Sequence, residues 1–301
     1  MKILVTGSSG LVGTALMEEL KHSGHTVVRL VRPGSAATGR GTEGFDVQWN
    51  PATGSLGGAA VGADAVVNLA GASIADGRWT DQRKEVLRTS RVANTDALVN
   101  ALARMAIRPR VLVSASAIGI YGNRGDEQLT EESVPGHDFL SILARDWEAS
   151  AAKAEAIGVR VVRARFGIIL AKQGGALPQM VRPFKFGLGG KLGSGRQWMS
   201  WVTLTDTVRI LRLALEDGTL RGPVNVVAPE PVRNSEFTEV LAKTLNRPAI
   251  LSAPEFALKL AMGEMAESLL LASQRVLPAS LASLGYKFIH PELARALSSL
   301  A

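Results

Sequence analysis

The sequence contains no cysteine. Disulfide bonds, a thiol nucleophile and a thiolate metal site are therefore excluded. The histidines are scattered, and no pair has the spacing of a metal-binding helix: they are His22, His25, His137 and His290. We predict no metal site, and we expect His137 to be a solvated loop residue.

Long apolar runs are also missing. No segment approaches the ~18 uncharged residues that a membrane span requires. The first residues already read as a strand, with no cationic run before a longer apolar region, so we expect no signal peptide, no membrane partner and a cytoplasmic protein. Hydrophobic residues make up 46% and charged residues 20% of the 301 residues, which excludes global disorder.

Basic residues outnumber acidic residues by 34 to 27, for a net charge of +7. A nucleic-acid-binding protein would gather its lysines and arginines on one face. Here they are dispersed, and no run of five basic residues occurs. We therefore favour a basic enzyme with one anion-binding cleft and no nucleic-acid partner. A nucleic-acid binder is the alternative, and it would require a basic face.

Runs of valine, isoleucine and leucine alternate with helix-length amphipathic segments. Lys2–Val5 is the first predicted strand, and in the helix after it Val12, Leu16 and Leu20 fall on one face. This alternation predicts an α/β fold with a doubly wound Rossmann parallel sheet, covered on both faces and linked by right-handed crossovers. The last part of the sequence is mostly helical and predicts a smaller C-terminal lobe.

The remaining elements follow the same alternation. Further strands are predicted at Thr26–Val31, Phe45–Trp49, Ala65–Ala70, Val111–Ala115, Val159–Arg165 and Val224–Val227, and helices at 81–105, Phe139–Ile157 and Thr205–Glu216. Residues 33–44 (PGSAATGRGTEG) are predicted to form a flexible loop. We divide the chain into a nucleotide-binding domain at 1–230, in which 171–203 contribute to the substrate cleft, and a helical lobe at 235–301.

A glycine-rich turn, TGSSGLVG, follows the first strand. Gly7 permits a tight turn, Gly10 lets the backbone approach a pyrophosphate, and Gly13 lets the helix pack closely on the strand. The helix N-terminus supplies free N–H groups and a partial positive charge. We therefore predict a dinucleotide site with contacts from Gly7, Ser9, Gly10, Leu11, Val12 and Gly13. The alternative is a purely structural strand–turn–helix.

The GxxGxxG spacing after threonine resembles the short-chain dehydrogenase/reductase superfamily, in particular its extended branch, which is similar to nucleoside-diphosphate-sugar epimerases. The segment VNLAG resembles that superfamily's fourth strand, and this resemblance implies cofactor contacts from Leu69, Ala70 and Gly71. The stretch GRWTDQRKEVLRTSRVANT, which contains Arg91 and Asn94, resembles an atypical group called epimerase family proteins. So do NVVAPEPVRNSEFTEVLAKTLNRP and LASQRVLPASLASLGYKF, so the resemblance covers essentially the whole chain. It implies a cofactor contact from Arg91.

The end of the second strand bears on the choice of cofactor. An acidic residue there would bond the ribose 2′-hydroxyl of NAD, whereas an arginine suits a 2′-phosphate. The sequence reads VVRLVRP, with no acid. Because side chains alternate along a strand, Arg32 at its end is a better candidate than Arg29. We predict NADP(H) as the cofactor, with a solvated strand-end arginine as the alternative.

Hydride transfer in the resembled superfamily uses a tyrosine and a lysine spaced YxxxK, together with a serine. Tyr121 is followed at the fourth position by Gly125, and Tyr286 by His290, so neither makes the motif. The helix that should carry the pair contains DFLSILARDWE, with no tyrosine or lysine. The standard catalysis of the superfamily is therefore not expected.

The serine of that chemistry has a counterpart. VSASAIGIYG resembles the superfamily's fifth strand and the loop beyond it, with one extra residue, and this matches Ser116 to the serine that polarises the substrate. Ser114 would lie near the nicotinamide ribose. The alternative for both is a small residue at a crowded strand end. Tyr121 is a candidate proton donor for carbonyl reduction, with packing in a loop as its alternative.

The substrate is less certain than the cofactor. Sugar-nucleotide epimerases place an arginine where this sequence has Met199. The loop before it still offers Lys191, Arg196 and backbone amides to an anion, unless it is only a glycine-rich surface loop. Trp198 and Trp201 either line a cleft or anchor the lobe. We expect an NADP(H)-dependent oxidoreductase or epimerase-like enzyme of unknown substrate. The alternative is a non-catalytic NADPH-binding sensor or regulatory protein.

Overall fold

The computed structural model describes residues 1–32 and 45–300. The predicted flexible loop at 33–44 lies outside these residues. The strands are β1 Lys2–Thr6, β2 Thr26–Val31, β3 Phe45–Asn50, β4 Ser55–Leu56, β5 Ala65–Asn68, β6 Val111–Ala117, β7 Gln128–Leu129, β8 Arg160–Phe166, β9 Ile168–Leu170, β10 Gly190–Leu192, β11 Trp198–Met199, β12 Trp201–Thr203, β13 Gly222–Val226, β14 Val232–Arg233, β15 Leu251–Ala253 and β16 Arg275–Val276.

Helices follow most of the strands of the main sheet. They are α1 Leu11–His22, α2 Asp81–Arg88, α3 Asn94–Ala103, α4 Phe139–Ala152, α5 Ala176–Lys185, α6 Leu204–Glu216, α7 Asn234–Leu245, α8 Glu255–Met262, α9 Glu264–Ala266, α10 Ala279–Ser283 and α11 Leu293–Leu300. No helix in the described part of the chain is long and apolar enough to cross a membrane. The predicted cytoplasmic location stays a prediction.

The central sheet has eight strands in the order β13-β8-β6-β5-β1-β2-β3-β4. Seven of them run parallel, and β4 pairs antiparallel with β3 at one edge. The strand order reverses between β1 and β5, so a crevice opens where their carboxyl ends part. The predicted doubly wound sheet is confirmed, and its crevice lies beside the glycine-rich turn after β1.

The two faces of the sheet bury different apolar cores. On one face Ile3, Val5 and Val113 pack with the apolar sides of α1 and α6. On the other face Leu4 and Leu112 pack with residues of α3 and α4. Odd and even residues of each strand therefore serve opposite cores, as the period of two in a strand requires.

Two elements differ from the prediction: one strand ends earlier, and one helix is interrupted. The strand predicted at Ala65–Ala70 ends at Asn68 because the amides of Leu69 and Ala70 turn to the hydroxyl of Thr6, at 3.2 and 3.3 Å. The helix predicted over 81–105 contains a π-helical segment, Thr89–Ala93, between α2 and α3. Such segments interrupt the regular ladder and are frequent at functional sites.

A third core lies between the carboxyl edge of the sheet and the C-terminal helices. Its buried members include Leu170 and Trp201 together with Phe237 from α7 and Leu297 from α11. Residues on both sides of the predicted boundary near 230 therefore share this core. The division into a 1–230 domain and a 235–301 lobe stays a prediction.

Candidate functional site

The three glycines of the turn after β1 differ in the space around them. Gly7 has φ +67°, and a Cβ there would lie 2.6 Å from the backbone carbonyl of Leu69. A Cβ at Gly13 would lie 2.2 Å from the carbonyl oxygen of Gly7. At Gly10 the nearest atom would be 3.4 Å away. Gly7 and Gly13 are therefore required by packing, whereas Gly10 leaves open space in front of α1.

The N-terminus of α1 is built to receive an anion. Gly10 is its N-cap, no side chain caps it, and its first turn has no acidic residue. Ser9 and Gly10 are exposed, while Leu11 and Val12 are half-buried. A groove of ≈ 540 Å³ runs past this turn, lined in part by Ser9, Gly10, Leu11 and Gly174. The free amides and the helix dipole at this end favour negative charge.

Arg91, in the π-helical segment, lies beside the end of β5. Its guanidinium donates to the carbonyl oxygens of Ala72 (2.9 Å) and Leu87 (3.3 Å), and it lies 5.3 Å from the ring centre of Trp147. A Cβ at Gly71 would lie 3.3 Å from it. Burial lowers the pKa of Arg91 to about 10, and the charge of Arg83 adds to the lowering. This cation is largely buried, and among the described residues its hydrogen bonds go to neutral acceptors.

An enclosed cation without a carboxylate is costly unless a ligand supplies the negative charge. Gly71 follows Leu69 and Ala70, the residues that Gly7 touches. The glycine turn and Arg91 therefore face one crevice, at the carboxyl ends of β1 and β5. Amides, a helix N-terminus and a guanidinium at one place fit the pyrophosphate of a dinucleotide.

The two arginines of β2 have different surroundings. Arg29 makes a bidentate ion pair with Asp46 of β3, with Nε–Oδ1 at 2.6 Å and Nη2–Oδ2 at 2.5 Å. Arg32 is exposed just beyond the strand. Because Leu30 is level with Thr6 in the sheet, Arg32 lies on the same edge as Gly7. The prediction that prefers Arg32 over Arg29 is thus compatible with the geometry, and its contact with a cofactor stays a prediction.

A hydrogen-bonded row crosses the sheet below this edge. Thr6 donates to the amide oxygen of Asn68 (2.7 Å), whose nitrogen lies 3.3 Å from Ser114 and 2.9 Å from Thr95. The indole of Trp147 also donates to Thr95 (3.0 Å). Ser114 is buried. This row holds β1, β5, β6, α3 and α4 together, and Ser114 is one of its members.

Ser116 lies two residues after Ser114 in β6 and contacts a buried ion pair. Its hydroxyl donates to Oε1 of Glu148 (2.7 Å). Arg165 of β8 holds both oxygens of Glu148, with Nε–Oε1 at 2.7 Å and Nη2–Oε2 at 2.8 Å. Ser116 is 2% exposed, Glu148 5% and Arg165 6%. The serine and the ion pair therefore form one enclosed unit between the sheet and α4.

Tyr121 joins the same unit from the turn after β6. It is fully buried, its hydroxyl donates to Asn225 Oδ1 (2.7 Å), and it accepts from Arg165 Nη1 (2.8 Å). Burial raises the pKa of Tyr121, and the nearby Arg165 offsets only part of this effect. The geometry favours the packing alternative for Tyr121 over the proton donor. The catalytic assignments of Tyr121 and Ser116 stay predictions.

Some of the residues predicted to face the substrate are buried, and others are exposed. Trp201 is fully buried and donates to the carbonyl of Glu230 (3.1 Å), so it anchors the third core. Trp198 is half-buried between Arg233 and Arg275, whose guanidinium carbons lie 4.2 and 4.5 Å from its ring centre. Met199 is buried. The remaining candidates are exposed: Lys191, Arg196 and His137.

The comparisons with known proteins agree with this architecture. Residues 3–227 match the NAD dependent epimerase/dehydratase family. The chain belongs to this family. Residues 253–300 match a second family, described as a domain of unknown function. The resemblance stated from the sequence is confirmed, and so is a nicotinamide dinucleotide as the cofactor of the family.

Relatives of the family extend over the full length of the chain. An epimerase family protein of Mycobacterium bovis is 42% identical over 98% of this chain and 96% of its own length. One of Bacillus subtilis is 38% identical over 100% and 98%. The crystal structure of the human epimerase family protein SDR39U1 with NADPH has 32% identity and a TM-score of 0.89, covering 100% of this chain and 99% of that one.

The sequence reasoning missed the partners of Ser116 and Tyr121. Glu148, Arg165 and Asn225 were not singled out, although they surround both side chains. One signal was available: Arg165 lies in a predicted central strand, RVVRARF, and a charged residue in a buried strand is expected to be paired. Register then places it, since Ser116, Arg165 and Asn225 are neighbours across β6, β8 and β13.

Proposed function

We propose that this member of the epimerase/dehydratase family binds NADP(H) in the crevice at the carboxyl ends of β1 and β5. The amides of Gly10, Leu11 and Val12 would hold the pyrophosphate together with Arg91. Arg32 would meet the 2′-phosphate, and the loop from Leu69 to Gly71 would lie along the nucleotide. The observation that carries the proposal is the largely buried guanidinium of Arg91 next to Gly71, whose hydrogen bonds among the described residues go to neutral acceptors, together with the uncapped N-terminus of α1.

The proposed reaction is the reduction of a carbonyl compound of a class not yet identified. When bound, NADPH supplies a hydride to the carbonyl carbon, and a proton from solvent completes the alcohol. To orient the carbonyl oxygen at the end of β6, the hydroxyl of Ser116 would turn away from Glu148, to which it donates in the structure. In the structure Glu148 accepts from that serine at 2.7 Å, and Arg165 fixes Glu148 through contacts of 2.7 and 2.8 Å. Residues 1–230 would carry the cofactor and 235–301 would border the substrate cleft.

A second function is a non-catalytic NADPH-binding protein that responds to cofactor occupancy. Two observations favour it. The described part of α4 contains neither tyrosine nor lysine. The hydroxyls of Ser116 and Tyr121 are both enclosed and already donate to buried partners. An accessible proton donor of the usual type is therefore missing from the described part of the site.

One set of titrations tests both functions. We expect NADPH fluorescence to report saturable binding, and an Arg91→Met variant to weaken it at least about tenfold, the loss of roughly one charge-assisted contact. Arg88→Met is the matched control, because Arg88 pairs with Asp146 at 2.7 Å on the outside of the same helix. Oxidation of NADPH is then followed with aldehydes, ketones and quinones. Absence of NADPH binding would overturn both functions, and binding without turnover of any compound would favour the second.

A further inference from the structure

An apolar wall extends beyond the end of β6. Leu140, in the first turn of α4, lies against the turn after the strand: a Cβ at Gly119 would be 3.4 Å from Leu140 Cβ. The neighbouring side chain, Phe139, packs edge-on against Trp79, with ring centroids 5.3 Å apart. Trp79 is fixed by a hydrogen bond to the carbonyl of Ile74 (2.9 Å). All four side chains are only half-buried, so this wall presents apolar surface.

The wall adjoins the proposed cofactor crevice on two sides. Along α4, Glu148 bonds Ser116, and Ser141, about two turns earlier, donates to the carbonyl of Gly119 (3.1 Å). The first turn of α4 therefore projects past the end of β6. Trp79 belongs to the segment that begins at Gly71, next to Arg91. The wall thus bridges the ends of β5 and β6, where a group next to the nicotinamide would be held.

Helix α8 is held next to the segment that carries Trp79. Arg78 donates to the carbonyl of Leu260 (2.8 Å), and Lys84 pairs with Glu264 (2.5 Å), so α8 and α9 are held against the segment that carries Trp79. No described residue of α8 is buried. Phe256 and Leu260 are 74% and 76% exposed and lie one turn apart on the same side of the helix.

The charges around the wall do not suit a sugar-nucleotide diphosphate. Lys84 is already paired with Glu264 and lies 5.0 Å from the ring centre of Phe139. Arg78 is bonded to a carbonyl oxygen of α8. A diphosphate gains most from arginines that can hold it in a bidentate fashion, and Met199 stands where sugar-nucleotide epimerases place theirs.

We propose that the wall of Ile74, Trp79, Phe139 and Leu140, with Phe256 and Leu260, binds the ring of an apolar carbonyl compound. This inference rests on the proposed function, because it names the class of substrate for the same site. Partly exposed aromatic edges and aliphatic side chains give up water readily to a ring. The carbonyl end of such a compound would lie toward Ser116, with the ring against the wall.

The test is a binding measurement that needs no turnover. Binding of NADP⁺ is established first by calorimetry, and the saturated protein is then titrated with 2-naphthaldehyde and, separately, with UDP-glucose. We expect saturable binding of the aldehyde and none of UDP-glucose. Phe139→Ala should weaken binding of the aldehyde at least about tenfold. Leu260→Ser should weaken binding of the aldehyde several-fold. Because Leu260 is exposed, this variant should keep the fold.

Controls separate this inference from the proposed function. Ile107→Ser removes an equally exposed apolar side chain, 66% exposed, before the amino end of β6, and should leave both affinities unchanged. Failure of NADP⁺ to bind would overturn the proposed function itself. With NADP⁺ bound, no saturable aldehyde binding up to its solubility would overturn the inference alone. The inference alone would also be overturned if UDP-glucose bound more tightly than the aldehyde, or if Phe139→Ala and Leu260→Ser both kept full affinity for the aldehyde.

Discussion

The guanidinium Nη1 of Arg165 lies 2.8 Å from the hydroxyl oxygen of Tyr121, and the same arginine holds Glu148. Tyr121 thus has a cationic neighbour, although it lacks the lysine four residues on that the superfamily uses. The two effects on its pKa oppose each other: burial raises it, the arginine lowers it, and burial prevails. The tyrosine is therefore held as a neutral, doubly hydrogen-bonded group inside the protein.

Tyr121→Phe should cost stability more than activity. The change leaves Asn225 Oδ1 and one N–H of Arg165 without their buried partner, which costs about 1–3 kcal/mol of unfolding free energy. A proton donor would instead lose about 10²–10⁴-fold in rate. Urea unfolding measures the first effect, and NADPH oxidation with a carbonyl compound measures the second. Tyr286→Phe, whose ring packs edge-on against Phe288 outside this network, is the control. A large rate loss with unchanged stability would restore the catalytic role.

The tyrosines should resist ionisation in the folded protein. The chain has two, and burial raises the pKa of both above the ordinary value of 10. Tyrosinate absorbance at 295 nm near pH 10 should therefore be smaller in the folded than in the urea-unfolded protein. Because the unfolded state loses these protons first, the unfolding free energy should fall as pH rises through about 10. Equal titration curves in the two states would contradict this assignment.

Gly10→Ala and Gly13→Ala should separate ligand binding from folding. A Cβ at Gly10 makes only an ordinary van der Waals contact, at 3.4 Å, so we expect a stability change within about 1 kcal/mol but at least tenfold weaker NADPH binding. A Cβ at Gly13 would lie 2.2 Å from a carbonyl oxygen, so this variant should lose about 1–3 kcal/mol or more of stability. Thermal unfolding and fluorescence titration decide it. Unchanged NADPH affinity in Gly10→Ala would argue against an anion at this turn.

Arg32→Ala should reduce the preference for NADPH over NADH. A charge-assisted contact with the 2′-phosphate contributes about 1.5–3 kcal/mol, or roughly 10- to 100-fold in affinity. Arg29→Ala is the matched control on the same strand, because Arg29 is occupied by Asp46 and should leave the preference intact. Both dissociation constants are measured by nicotinamide fluorescence. A preference that survives in Arg32→Ala would assign the 2′-phosphate to another residue.

Common sugar nucleotides should not be epimerised. The chain lacks the YxxxK pair, and Met199, which is buried, stands where an arginine would meet the diphosphate. Incubation of pure protein with UDP-hexoses and NAD(P)⁺, followed by separation of the sugars, measures this directly. Steady conversion that disappears when the cofactor is removed would refute the expectation.

The sequence alone predicted the fold and the cofactor of the family, whereas the individual cofactor contacts stay predictions. Strands and helices are predicted from the local spacing of apolar residues. The glycine-rich turn is also local, because its three glycines lie within seven consecutive residues. Gly7 and Gly13 are needed by contacts with Leu69 and with the turn itself, so their spacing reports real packing. The doubly wound parallel sheet followed from the alternation of elements and from the handedness of the crossovers, whereas the order of its strands comes from the structure.

The partners of the predicted catalytic residues were decided by tertiary structure. Glu148 and Arg165 lie 17 positions apart in the chain, and Tyr121 and Asn225 lie 104 apart. Their meeting depends on the register of β6, β8 and β13 and on how α4 lies across them. No local pattern encodes these distances, because hydrogen bonds between elements follow from packing of the whole sheet. The sequence by itself determined the fold and the cofactor turn, whereas the enclosure of Ser116 and Tyr121 by a buried ion pair arises only when four separate elements are brought together.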